Sequence, residues 1–191
     1  PLSKENINKI ININSRIEKS TISCLYFSQP INSNDFTGFE QGRFILEKIT
    51  DFDYWKNIIE YSREKGFDFI YLLNSPAIFN YEDNNIKTKL EKLDKLLNKL
   101  NDMGCNKVRA CNPQLIAYLC QNYPHFNIYL STLTQYQNIK QYSNLFSMFS
   151  NIKEFVPTFD LNKNFQFLKN IKAKFPNIDI EIMVNEGCIA G

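Results

Sequence analysis

Two carboxylates and one thiol are the residues of this chain best suited to chemistry. Glu186 and Cys188 directly follow an apolar run, Ile178–Val184, that predicts a buried strand, and Asp160 follows the preceding predicted strand. Carboxylates transfer protons in general acid–base catalysis, and cysteine thiolates bind metals. Because metal and cluster sites usually need three or four protein ligands, Cys188 is expected to have partners elsewhere in the chain or in sequence that follows it.

Polar residues also follow the other predicted strands, and in a parallel barrel all such strand ends lie on one face. Asn and Ser are ordinary helix caps and turn formers, so each position alone is weak evidence, but together they predict a polar pocket. The long segment 29–50 is a candidate substrate loop, and its Arg43 a candidate anion clamp. The substrate-binding candidates are Arg43, Asn74, Asn112, Ser131, Asn162 and Asn185.

A single histidine argues against a nucleophilic pair. His125 lies in a turn before the fourth predicted strand, at the amino-terminal end and away from the expected pocket. A Cys–His or Ser–His pair is therefore not expected within these residues.

Short apolar runs alternate with amphipathic stretches along the chain, which indicates alternating strands and helices. A helix is predicted over residues 4–19, before the first strand. Strands are predicted at 21–27, 67–73, 107–111, 126–132, 152–157 and 178–184. Helices are predicted between them at 51–65, 86–103, 113–122, 137–149 and 162–175.

This order predicts an α/β fold with a parallel sheet covered by helices. Two forms are possible, an open doubly wound sheet and a (β/α)₈ TIM-like barrel with about six of its eight units. No G-x-G-x-x-G turn follows the first strand, which argues against a dinucleotide-binding domain. We therefore expect a single partial barrel domain over 1–191, with a helix in 1–20 and six βα units in 21–191. Its two outer strands would be open to association, or covered by further sequence.

Composition places the chain among globular proteins, with 43% hydrophobic residues in 191. A formal net charge of +2 gives no general attraction to nucleic acid. No basic-then-apolar leader is visible in these residues, there is no apolar run near 18 residues, and the five cysteines lack framework spacing. These features predict a cytoplasmic protein with reduced thiols and no membrane partner.

Four segments together resemble the peptidase U32 family, also called collagenase-like proteases. They are YLLNSP at 71–76, KVRACNPQLIAYLCQNYP at 107–124, FDLNKNFQFLKNI at 159–171 and IEIMVNEGC at 180–188. The family often has LLN-x-P, NPYL, D-x-N-x-D-x-x-x-L-K and VNEGC-x-x-x-C-P at corresponding places. Gly42-Arg43 resembles a Gly-Arg pair in the first long loop of the family. The resemblance covers the chain from about Thr21 to its end.

The resemblance implies a TIM-like barrel and a hydrolase that acts on peptide or protein substrates, in some members with a divalent metal. Other members bind a [4Fe–4S] cluster and take part in hydroxylating RNA bases or a quinone precursor, which gives an alternative function. A peptide-binding barrel without turnover is a third. The chain departs from the family at Asn164, where aspartate is frequent, and the second motif cysteine would come just after Gly191.

Overall fold

Strands and helices alternate along the whole structure, a computed structural model that describes residues 3–18, 21–28, 52–75 and 86–184. The six strands are β1 Cys24–Phe27, β2 Asp68–Leu73, β3 Lys107–Ala110, β4 Asn127–Leu130, β5 Ile152–Phe155 and β6 Asp179–Ile180. The helices are α1 Lys4–Asn14, α2 Phe52–Glu64, α3 Ile86–Asp102, α4 Pro113–Asn122, α5 Ile139–Met148, α6 Phe159–Asn162 and α7 Phe165–Lys174. The strand order in the sheet follows the chain order, β1-β2-β3-β4-β5-β6.

The chain forms two compact units, Pro1–Lys107 and Val108–Gly191. In the first unit β1 pairs with β2 in parallel, with Phe27 opposite Tyr71. The Phe27 ring stacks on Trp55 of α2 with centroids 4.8 Å apart and meets Tyr71 edge to face at 4.9 Å. These aromatic contacts bury the apolar face of α2 on the sheet, as the 3.6-residue period of the helix predicts.

Leucines at helical spacing form the buried face of α3. Leu93, Leu96, Leu97 and Leu100 are all fully buried. The helix ends at Gly104, whose φ of +75° is a conformation that side chains with a Cβ rarely adopt. A Cβ at Gly104 would also collide with the Arg63 guanidinium, so two independent constraints favour glycine here.

In the second unit β4, β5 and β6 pair in parallel, in that order. The core on one side of them is aromatic, with the Tyr142 ring 4.6 Å from that of Phe155 and 5.9 Å from that of Phe167. Tyr142 comes from α5 and Phe167 from α7, so both helices pack on Phe155 and its neighbours. Polar side chains of these strands are therefore expected on the opposite face of the sheet.

Every predicted strand and helix occurs in the described residues, but some boundaries differ. The helix predicted over 162–175 corresponds to α7, Phe165–Lys174, and the short helix α6 precedes it. The start of α7 is set by Asn164, whose side chain accepts a hydrogen bond from Phe167 N at 2.9 Å. The strand predicted over 178–184 pairs regularly only at Asp179–Ile180. The first helix ends at Asn14 rather than near residue 19.

None of the helices in the described ranges has both the length and the apolar character needed to cross a bilayer. The cytoplasmic location stays a prediction, as does the assignment of residues 1–191 to a single domain.

Candidate functional site

Three charged side chains meet on one face of the second unit. Arg109 lies in β3, Glu154 in β5, and Glu181 directly follows β6. Glu154 is the register partner of Asp179, and paired residues of neighbouring strands project to the same face. Asp179 and Glu181 are two residues apart, so Glu181 also projects to the face of Glu154.

A β-bulge gives Glu154 this orientation. Ile128 pairs with Ile152, but the next residue of β4, Tyr129, pairs with Glu154, so Lys153 is an extra residue in β5. Ile152 and Phe155 are both fully buried, although they are three residues apart and regular alternation would place them on opposite faces. The bulge therefore sets Glu154 on the face opposite the aromatic core, beside Tyr129.

Arg109 is the centre of the cluster, and its side chain is only 8% exposed. Its Nη1 donates to Glu181 Oε1 at 2.9 Å, and its Nη2 donates to Glu181 Oε2 at 2.8 Å, so this pair is bidentate. The same Nη2 also donates to Glu154 Oε1. A buried guanidinium must be paired to be tolerated, and here two carboxylates supply the pairing.

The two glutamates differ in their surroundings. The Glu154 side chain is 19% exposed, and that of Glu181 is 33% exposed. Burial raises the pKa of Glu154, Arg109 lowers it, and the charge of Glu181, a hydrogen bond with Glu181 and the charge of Asp179 raise it further. The result is a pKa of about 7 for Glu154, well above the ordinary value of 4.5 for glutamate.

Such a pair can exchange protons with a substrate near neutral pH. Two carboxyl groups in contact do not both ionise readily, so one of them retains a proton while the other is charged. A carboxyl that titrates near the working pH is an efficient general acid or base. Both side chains are partly exposed, so water and substrate can reach the two carboxyl groups.

Hydrogen bonds between loops hold the segments that follow β4, β5 and β6. The Asn162 side chain donates to Met183 O at 2.8 Å and accepts from Met183 N at 3.3 Å. Thr132 Oγ1 donates to Pro157 O at 3.2 Å. These hydrogen bonds hold the segment that carries Glu181 against α6, at Met183, two residues after the glutamate.

Several residues predicted to bind substrate have structural hydrogen bonds. The Asn112 side chain accepts from Gln114 N and Leu115 N at 2.9 and 3.1 Å and caps α4. Ser131 Oγ accepts from Leu133 N at 3.3 Å and opens a 3₁₀ turn. Their role in binding substrate stays a prediction.

The remaining predicted site residues divide by position. Asp160 is exposed in the first turn of α6, so its carboxylate is open to solvent. Asn74 belongs to the first unit, and its buried Oδ1 has no hydrogen-bond partner in the described part of the chain. Four others lie outside the described residues, namely Arg43, Asn185, Glu186 and Cys188.

The four described cysteines do not fit a metal or cluster site. Burial raises the pKa of Cys105 to about 12, that of Cys111 to about 11 and that of Cys120 to about 12, so their thiolates are disfavoured. Cys24 begins β1 and is half-buried. No group of three or more His, Cys, Asp or Glu side chains in residues 3–18, 21–28, 52–75 and 86–184 has metal-binding geometry. These thiols pack as small apolar groups.

Sequence reasoning missed Arg109, Glu154 and Glu181, although a signal for them was present. Each is a charged residue inside or next to an apolar strand, in the runs KVRA, IKEF and IEIM. Charged residues of these types are almost never fully buried unless they are paired. The sequence therefore indicates that these residues need charged partners, whereas which residues pair with which depends on the tertiary fold.

Comparison with known proteins gives a fold match without a sequence match. No protein-family model matches this chain, and no curated protein matches its sequence. The structure of the U32 peptidase Mk0906 is similar, with a TM-score of 0.59, 11% identity and coverage of 95% of this chain and 64% of that one. The structure of CpGH84B is also similar, with a TM-score of 0.50, 12% identity and coverage of 83% of this chain and 31% of that one.

At 11% identity the likeness to Mk0906 shows the fold alone, an α/β barrel-like arrangement of the U32 peptidase kind. The chain spans 64% of the length of that peptidase. The eight-stranded TIM label, the number of units and the sequence motifs stay predictions.

Proposed function

We propose that this chain is the catalytic domain of a U32-like hydrolase that cleaves peptide bonds, with Glu154 and Glu181 as its acid–base pair. One observation carries the proposal: two glutamates from neighbouring β-strand segments meet on one buried arginine, and one of them has a pKa of about 7. Hydrolysis of an amide needs a base that activates water and an acid that protonates the leaving nitrogen. The cluster contains both groups.

The position of the pair supports the proposal. Glu181 follows the last regular residue of β6, and Glu154 is one residue before the end of β5. Active sites of barrel enzymes lie at the carboxyl ends of the strands. The likeness in fold to a U32 peptidase agrees with peptide as the first substrate to test.

Glu186, Asp160 and Cys188 stay candidates for further roles at the same face. Asp160 is exposed in α6, the helix whose Asn162 side chain forms hydrogen bonds with the Met183 backbone. In this proposal they bind or orient the substrate, and the proton transfers belong to Glu154 and Glu181.

The experiment is a hydrolysis assay on the protein in its natural length, with denatured collagen and a library of generic peptides, with and without divalent metals. Glu154→Gln and Glu181→Gln are each expected to lower kcat by about 10²- to 10⁴-fold, the usual contribution of general acid–base catalysis. Glu91→Gln, at an exposed position of α3, removes the same charge away from the cluster and serves as the matched control. Absence of cleavage under every condition would reject the peptidase function.

A further inference from the structure

We infer that Arg109 determines which glutamate of the pair carries the proton, so that Glu181 is the ionised base and Glu154 holds the proton. The inference rests on the proposed function for its catalytic meaning, but the placement of the proton is a property of the cluster itself. Arg109 is then a positioning residue, since it acts through the two carboxyl groups.

The hydrogen-bond geometry of Arg109 differs for the two glutamates. Glu181 accepts hydrogen bonds from both terminal nitrogens of Arg109, one on each carboxylate oxygen, at 2.9 and 2.8 Å. Glu154 accepts one hydrogen bond from Arg109, from Nη2 to Oε1. A bidentate guanidinium pair matches the planar carboxylate and favours its ionised form. Glu154 has a single contact with the guanidinium and shares a hydrogen bond with Glu181, in which Glu154 can be the proton donor.

Exposure points the same way. The Glu181 side chain is 33% exposed and that of Glu154 is 19% exposed. Burial disfavours the charged form of a carboxyl, so the more buried Glu154 is the better place for the proton. The more exposed Glu181 is the better place for a charge and has easier access to a water molecule.

The charged groups near Glu154 are consistent with this assignment. Arg109 on β3 lowers its pKa, while Glu181 and Asp179 from the β6 segment raise it. Tyr129, its register partner on β4, lies on the same face. Two negative neighbours therefore oppose one arginine, and the arginine is already bound on both nitrogens by Glu181.

The assignment gives a balanced hydrolytic step. The Glu181 carboxylate takes a proton from water while the water oxygen bonds to the carbonyl carbon. Glu154 then donates its proton to the leaving nitrogen as the carbon–nitrogen bond breaks. Glu181 is now protonated and Glu154 ionised, and one proton passes through the hydrogen bond between them to restore the starting state. No metal or other co-reactant enters this step.

The test is a carbon-13 NMR titration of the glutamate carboxyls in the natural-length protein, which needs no activity. The wild type is expected to show Glu154 titrating near pH 7, with Glu181 ionised over the same range. Glu181→Gln removes a negative neighbour, so the Glu154 midpoint should fall by about one pH unit or more. Asp68→Asn, at an exposed position of the first unit, should leave it unchanged.

Arg109→Lys retains the charge but removes the fork, so it is expected to bring the two midpoints closer together. Where that variant does not fold, the Glu181→Gln titration still decides the matter. A Glu181 that titrates near neutral pH while Glu154 is ionised would overturn the assignment. A Glu154 midpoint near 7 in a protein without hydrolytic activity would support the assignment and reject the proposed function, so the two failures can be distinguished.

Discussion

Arg109 binds Glu181 through both of its terminal guanidinium nitrogens, at 2.9 and 2.8 Å, in a site where the arginine side chain is 8% exposed. This pair joins β3 to the segment after β6, and Glu154 of β5 completes it. The cluster thus links three strand segments of the second unit through charge. Its energetic and chemical consequences can be measured separately.

Removal of the arginine is expected to destabilise the protein strongly. Arg109→Met leaves Glu154 and Glu181 without their buried partner, and breaking a buried pair in this way costs about 3–5 kcal/mol. Lys107→Met is the matched control, since it removes a cation from the same strand. Lys107 pairs with Asp68 at 2.6 Å, and this pair is more exposed than the Arg109 cluster. The control should cost less than about 1 kcal/mol. Urea unfolding at pH 7 measures both, and equal losses would contradict the account.

The stability of the wild type is expected to fall as pH rises from 5 to 8, relative to that of Glu154→Gln. The folded pKa of Glu154 is about 7 and the unfolded value is 4.5, so the folded protein holds an extra proton between these limits. The stabilisation is complete below about pH 4.5 and is lost as pH rises through 7. The slope approaches about 1.4 kcal/mol per pH unit at most. Urea unfolding at intervals of half a pH unit measures it, and a flat difference would refute the raised pKa.

The Asn162 side chain is expected to stabilise the segment after β6. Asn162→Ala removes two hydrogen bonds to the Met183 backbone and should cost about 1–2 kcal/mol. Hydrogen exchange at the Met183 amide should become faster. Asn170→Ala, which removes a surface contact with Gln166 on α7, is the control and should leave that exchange unchanged. Unchanged exchange in Asn162→Ala would show that the two bonds do not hold the segment.

Much of the fold follows from patterns in the sequence. The leucine period of α3 and the pair Asn112 and Pro113 at the start of α4 identify those helices, because helix faces and caps depend on near neighbours along the chain. The face of Glu154 does not follow from the sequence. Ile152-Lys153-Glu154-Phe155 shows no alternation, and the bulge at Lys153 exists only through pairing with β4. The meeting of Arg109 with Glu181, 72 positions later, likewise depends on the tertiary fold.

Asn112 is expected to act first as a cap. Asn112→Ala should cost about 1 kcal/mol, because Gln114 N and Leu115 N lose their acceptor, whereas Asn112→Asp retains the cap and should stay close to wild type. Thermal unfolding measures both variants. A direct role in binding substrate would appear as a raised KM in Asn112→Asp with unchanged stability. Equal loss of stability in both variants would contradict the cap.

The pH dependence of kcat/KM for a peptide substrate tests the central claim most directly. The account predicts a bell-shaped profile in the wild type, with its alkaline limb set by loss of the Glu154 proton near pH 7. Glu154→Gln should lose that limb along with about 10²- to 10⁴-fold in rate. Hydrolysis that retains both its rate and its alkaline limb in Glu154→Gln and in Glu181→Gln would contradict the claim that this pair is the acid and base.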